Sequence, residues 1–170
     1  VNAVVRHYGK PHKVRIEMAR DLRKSARQRE QASKRARENQ QRREKAAEKL
    51  VNEAGIHNPS RQDVEKVLLA EECKWTCPYT GRGIGMDALL GASPQFDVEH
   101  IVPFSRSLDN SYLNKTLCYA PENRSRKRNH TPWEAYGGDE DRWSEIIARV
   151  QDFKGDAAQI KLRRFKQREP

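Results

Sequence analysis

No run of about 18 apolar residues occurs anywhere in this chain, which excludes a membrane-spanning helix of ordinary length. No apolar signal-peptide segment opens the sequence either, so the expectation is a soluble, cytoplasmic protein of a prokaryotic cell, with no membrane partner. Cysteine is scarce: Cys73, Cys77 and Cys118 are an odd set that cannot all pair within the chain, which argues against a secreted disulfide framework. Their spacing is imperfect for zinc and a second pair is missing, so packed free thiols are the simpler reading and zinc is disfavoured. Apolar residues are also few, at 35%, against 34% charged, so much of the 170-residue chain is expected to stay outside a core.

What the chain has in excess is positive charge. Lys and Arg number 34 against 24 Asp and Glu, a net of +10, which favours a polyanionic partner and a binding affinity that falls steeply with salt. The basic residues are not evenly spread. Residues 20–49 hold twelve basic and five acidic side chains, no Gly and no Pro, and only a narrow apolar stripe around Leu22 and scattered alanines. Such a segment predicts a long solvated helix, or a linker that becomes helical against a partner, with phosphate contact as the alternative use of its charge.

Before that segment, Val14, Ile16 and Met18 alternate with charged residues at the period of a strand, with nothing nearby to pair with. After it, Gly55 ends the helix and Ser60 begins another, capped by Asp63 and carrying Val64, Val67 and Leu68 on one face. Cys77 to Gly81 signals a turn, and irregular chain is expected as far as Gln95. Phe96 to Val102 then alternates as a strand that Pro103 ends, a polar loop spans Ser105 to Ser111, and Leu113 to Tyr119 offers a second strand. Pro121 sits where a helix likes its first residue, which places Asn123 in the opening turn. Thr131, Pro132 and Glu134 repeat the capping logic. Trp143, Ile146, Ile147, Val150 and Phe153 mark an amphipathic helix, and residues 156–170 read as a second basic connector.

Strand, loop, strand and helix therefore bring Glu99 and His100 at a strand end towards Asn123 at a helix start. Hydrolysis of a phosphodiester at neutral pH needs a proton acceptor for water and positive charge near the phosphate. An imidazole, with a reference pKa of about 6.5, suits the first task, and a divalent cation held by oxygen ligands suits the second. Taken alone, His100 reads more readily as a strand histidine hydrogen-bonded in a core, and neighbours on a flat strand face opposite ways, so Glu99 and His100 face one site only if the strand end twists, or else flank the scissile phosphate.

The run Asp97-Val98-Glu99-His100-Ile101-Val102-Pro103, with Asn114-Lys115 and Glu122-Asn123-Arg124, resembles the ββα-metal motif of the HNH nucleases. The likeness extends through Phe104 to Ser111 and Asn129 to Pro132, and is similar to the HNH domain of the RNA-guided type II CRISPR effector endonucleases, the Cas-nine family. Ile16-Glu17-Met18-Ala19-Arg20 resembles the RuvC strand preceding that domain, which makes Glu17 a metal ligand left inert here for want of its partner carboxylates.

The resemblance implies an α+β fold, a small ββα-metal core surrounded by helices with long basic helical linkers at both ends. The implied divisions are a RuvC-like strand remnant at 1–19, a basic linker at 20–54, the nuclease domain at 55–138, and a C-terminal helix with basic linker at 139–170. It further implies that Glu99 and Asn123 hold Mg2+, for which Mn2+ can substitute, and that His100 deprotonates the attacking water. Asn114 and Asp97 would support these groups from behind, and Arg124, Arg126 and Lys127 would grip the nucleic-acid backbone. The implied partners are the DNA target strand in an RNA–DNA heteroduplex, the guide RNA and the remaining domains of a parent effector. Family members often carry Asp where this chain has Glu99. Two other readings stay open: a free-standing HNH nuclease of restriction or homing type, and a non-catalytic basic nucleic-acid-binding module.

Overall fold

The computed structural model describes residues 2–10 and 25–168, and it divides the chain into two compact units, residues 1–38 and 39–170. Glu17 and the alternating segment around Val14 lie outside the described residues. The first unit contains helix α1 (Asn2–Tyr8) and the start of α2 (Ala26–Ala54). Ser25 and Gln28 cap α2 reciprocally, the Ser25 amide donating to Gln28 Oε1 at 2.9 Å and the Gln28 amide donating to Ser25 Oγ at 3.3 Å. From Ala26 to Glu38 every side chain is exposed, as so thin an apolar stripe requires.

The second unit begins inside the same helix. Its last turns bury Ala46 and Leu50 against Val67 of α3 (Arg61–Glu72), so residues 46–50, read from sequence as linker, belong to the packed fold. The reason is a local apolar pair at four-residue spacing, which the surrounding charge obscures. Gly55 stops the helix with φ +65°, a left-handed conformation that glycine adopts without steric cost. Ser60 and Asp63 form the capping box of α3.

A short helix α4 (Met86–Leu90) interrupts the stretch expected to be irregular and buries Leu89. The only sheet among the described residues is the antiparallel pair β1 (Phe96–His100) and β2 (Lys115–Tyr119), in register from Phe96 opposite Tyr119 to His100 opposite Lys115. The connection between them, read as a polar loop, contains one helical turn, α5 (Phe104–Ser107), and a 3-10 turn at Tyr112–Asn114. After β2, α6 (Ala120–Glu122) runs into a wide π turn at Asn123–Lys127. Then come α7 (Pro132–Tyr136), α8 (Glu140–Gln151) and α9 (Ala158–Phe165).

The core joins Tyr79, Leu117, Cys118, Ile146, Val150 and Phe165. Phe165 shows that residues 158–165 do not form a connector: Ala158, Leu162 and Phe165 make a stripe at i, i+4 and i+7, and Phe165 packs 5.4 Å from the Tyr79 ring. Lys161 on the same helix is fully buried, with Nζ 2.7 Å from Glu72 Oε2.

Thr131 and Glu134 close the capping box of α7, and Glu134 also pairs with Arg106 at 2.6 Å. The Arg106 hydrogen bond, aided by the Thr131 amide, holds the Glu134 carboxyl down to about 2. A depressed carboxylate stabilises the fold above its unfolded value of 4.5, and that contribution is lost as the pH falls towards 2. Glu134→Gln is therefore expected to flatten the acid limb of a urea-midpoint profile in that window, and an unchanged limb would contradict the assignment.

Candidate functional site

Side chains alternate along β1, so Asp97 and Glu99 share a face and His100 projects from the other. The face with the two carboxylates is covered by the π turn that follows β2. Asp97 accepts from Arg124 Nε at 3.1 Å and Nη2 at 2.9 Å, and from Asn123 Nδ2 at 3.2 Å. Glu99, only 6% exposed, is ion-paired with Lys127, whose side chain is wholly buried and whose ammonium also donates to the His100 carbonyl at 3.0 Å. Burial pushes the Glu99 carboxyl up, and the Lys127 ammonium pulls against that rise.

His100 is half-buried, with Nε2 3.0 Å from Asn110 Oδ1 and its ring 5.7 Å from that of Phe104. The fully buried Asn114 accepts from the Val102 amide at 3.0 Å and donates to the Val102 carbonyl at 2.8 Å and the Asp109 carbonyl at 2.9 Å. Its own carbonyl accepts from the Ile101 amide at 2.8 Å. One amide thus ties the strand end to the returning loop. Asn114→Ala leaves the Val102 amide and two carbonyls without these partners and should cost about 2–3 kcal/mol in chemical denaturation. A loss below about 0.5 kcal/mol would show that water replaces them.

Asp97 and Asn123 are therefore in direct contact, whereas Glu99 sits with Lys127 and His100 with Asn110. Arg124 and Arg126 are exposed at the surface, Arg124 bonded through two nitrogens to Asp97 and Arg126 lying 5.2 Å from the Tyr136 ring. Lys127 is not at the surface: the expectation that it grips DNA is corrected by its complete burial, where it supplies the counter-charge that the buried Glu99 needs. Nothing in periodicity or charge marks Asn110 in the sequence, since what sets it apart is a contact ten residues back along the chain.

The oxygen donors Asp97, Glu99 and Asn123 suit a hard divalent cation. Such an ion of the magnesium type takes only one or two protein carboxylates and completes its shell with water and phosphate. Among the described residues no three His, Cys, Asp or Glu side chains gather closely enough to cage a metal by themselves. The three cysteines are buried and unbridged. Burial pushes Cys73 up to about 12, while a hydrogen bond with Cys118 holds Cys77 down to about 6.

The HNH endonuclease family matches residues 77–133, which span both strands, the His100 loop and the Asn123 turn. The chain is 31% identical over 164 residues to the CRISPR-associated endonuclease Cas9 1 of Streptococcus thermophilus, covering 91% of this chain and 14% of that protein. It is 37% identical over 146 residues to the CRISPR-associated endonuclease Cas9 of Campylobacter jejuni, covering 86% and 14%. A crystal structure of Streptococcus thermophilus Cas9 in complex with the AGAA PAM superposes with a TM-score of 0.74 at 27% identity, over 99% of this chain and 17% of that one. The chain thus spans about one-seventh of the relatives it matches. With the hairpin, the turn and the histidine loop all inside the matched segment, the chain belongs to the HNH endonucleases, as an HNH region of the Cas9 kind.

Proposed function

We propose that this chain hydrolyses a phosphodiester of the DNA strand paired to a guide RNA, as the nuclease module of a CRISPR effector in the prokaryotic cytoplasm. The observation that supports the reading is the hairpin that carries Glu99 and His100 as neighbours at its loop end, with the turn after β2 laid along β1 so that Asn123 meets Asp97 and Lys127 meets Glu99. Its partners would be the RNA–DNA heteroduplex, the guide RNA and the rest of the effector. The net charge of +10 and the exposed Arg124 and Arg126 support a polyanionic substrate.

In the mechanism, His100 takes a proton from water, the hydroxide oxygen forms a bond to phosphorus, and the bond from phosphorus to the sugar oxygen breaks with its electron pair on that oxygen. Glu99 and Asn123, with Asp97 beside them, would hold Mg2+, or Mn2+ in its place; Glu99 does so only by giving up or sharing its contact with Lys127. A divalent cation in such a site supplies charge that stabilises the phosphate oxygens and the leaving oxygen. Arg124 and Arg126 steady the backbone on either side.

A labelled RNA–DNA heteroduplex incubated with the chain tests this. The reading expects DNA-strand cleavage that needs Mg2+ or Mn2+ and stops with EDTA. Cleavage that persists with chelator, or confinement of cutting to the RNA strand, would contradict it.

A further inference from the structure

Asn110 presents an amide oxygen to His100 Nε2 at 3.0 Å. Such an oxygen can only accept, so the contact places the ring proton on Nε2 and leaves the lone pair on Nδ1. A neutral imidazole serves as a base only through the nitrogen without the proton, so whatever sets the tautomer decides which side of the ring can act.

The segment that carries Asn110 is tied down on both sides. Before it, Asp109 Oδ2 pairs with Arg164 Nη1 at 2.6 Å, Oδ1 accepts from the Ser111 amide at 2.8 Å, and the Asp109 amide donates to Ser107 Oγ at 3.2 Å. Hydrogen bonds from Ser111 and then from Arg164 hold the Asp109 carboxyl down to about 2. After it, the Tyr112 hydroxyl donates to Glu72 Oε2 at 2.7 Å, the oxygen that also holds the buried Lys161. Arg164 and Lys161 both come from α9, which lies outside the segment matched by the HNH family. The C-terminal helix therefore grips the short strap facing the histidine.

We propose that Asn110 is a positioning residue of the nuclease site: it selects the Nε2–H tautomer of His100 and so makes Nδ1 the base, with Arg164 of α9 holding the strap that presents it. This rests on His100 being the base. Neither Asn110 nor Arg164 touches the reacting atoms, so their effect passes through the orientation and tautomer of one ring.

The test combines spectroscopy with kinetics on the 170-residue chain. With 15N-labelled histidine, long-range 1H–15N spectra recorded where the imidazoles are neutral distinguish the two tautomers, and the His100→Gln spectrum identifies the His100 signals among the five histidines. The wild type should show a protonated Nε2 and a bare Nδ1. Asn110→Leu removes the acceptor and should give averaged shifts for the two nitrogens, together with a fall in kcat of about ten- to a hundredfold at unchanged KM. Asn110→Asp keeps an acceptor oxygen and should retain the wild-type tautomer, and Arg164→Gln should shift the spectrum in the same direction as Asn110→Leu but less far.

A wild-type Nδ1–H tautomer, or a tautomer unaltered in Asn110→Leu, overturns the proposal. Undiminished cleavage by His100→Ala would instead remove the reading on which it rests, so the two failures are separable.

Discussion

His100→Ala is expected to lower the rate of DNA-strand cleavage by about a hundred- to ten-thousandfold, the usual worth of a positioned general base. The fold should survive, because the ring is half-buried and its polar contact is with a loop amide rather than with the core. Thermal unfolding by circular dichroism separates the two effects: the midpoint should stay close to wild type while cleavage collapses. Binding of the heteroduplex should also persist, since Arg124 and Arg126, the proposed phosphate contacts, make their own contacts with Asp97 and Tyr136 rather than with the imidazole. A variant that cuts at the wild-type rate would leave the proton on water without an acceptor in this site.

Lys127→Met is expected to destabilise the fold by about 3–5 kcal/mol, the cost of removing one partner of a buried ion pair and leaving the other charged. Both side chains are shielded from water, the Lys127 side chain at 0% exposure and that of Glu99 at 7%, so solvent cannot replace the lost ammonium. The pH dependence has a definite sign. Burial already raises the Glu99 carboxyl above its usual range, and removing the ammonium that opposes this raises it further. The deficit should then be largest at neutral and alkaline pH, where the carboxylate must stay charged, and should shrink as the pH falls through the raised value and the group becomes neutral. Adding Glu99→Gln to Lys127→Met should recover part of the loss at neutral pH. Urea denaturation of the single and double variants across pH measures this, and equal stability of Lys127→Met and wild type at neutral pH would show that the ammonium does not support Glu99.

These two residues also mark where the sequence was legible and where it was not. The capping boxes at Ser60 and Thr131 follow from adjacent residue types, and β1, β2 and α8 follow from periods of two and 3.6 that extend far enough to be seen. Short helices α4 and α5, of five and four residues, fall below any detectable period. Lys127 lay in a basic run whose average suggests surface, yet one acidic neighbour in space was enough to draw it inside. In α9 the same averaging hid a stripe of Ala158, Leu162 and Phe165 among basic residues, and the counter-charge for Lys161 is supplied by Glu72, far away in sequence. Asp97 and Glu99 were identifiable as acids at a strand end. What could not be read is which cation each would meet, because that depends on how tightly the Asn123–Lys127 turn winds.

The strand that carries Glu99 and the turn that carries Asn123 are held together by the contacts of Asp97 with Asn123 and Arg124 and of Lys127 with Glu99 and the His100 carbonyl. The most direct test of the whole account is anomalous diffraction from crystals soaked in Mn2+. The account predicts a manganese peak beside Asn123 and the carboxylates of β1, with His100 left free of the ion. A peak at the buried cysteines, or ions bound only at acidic residues remote from β1, would contradict it.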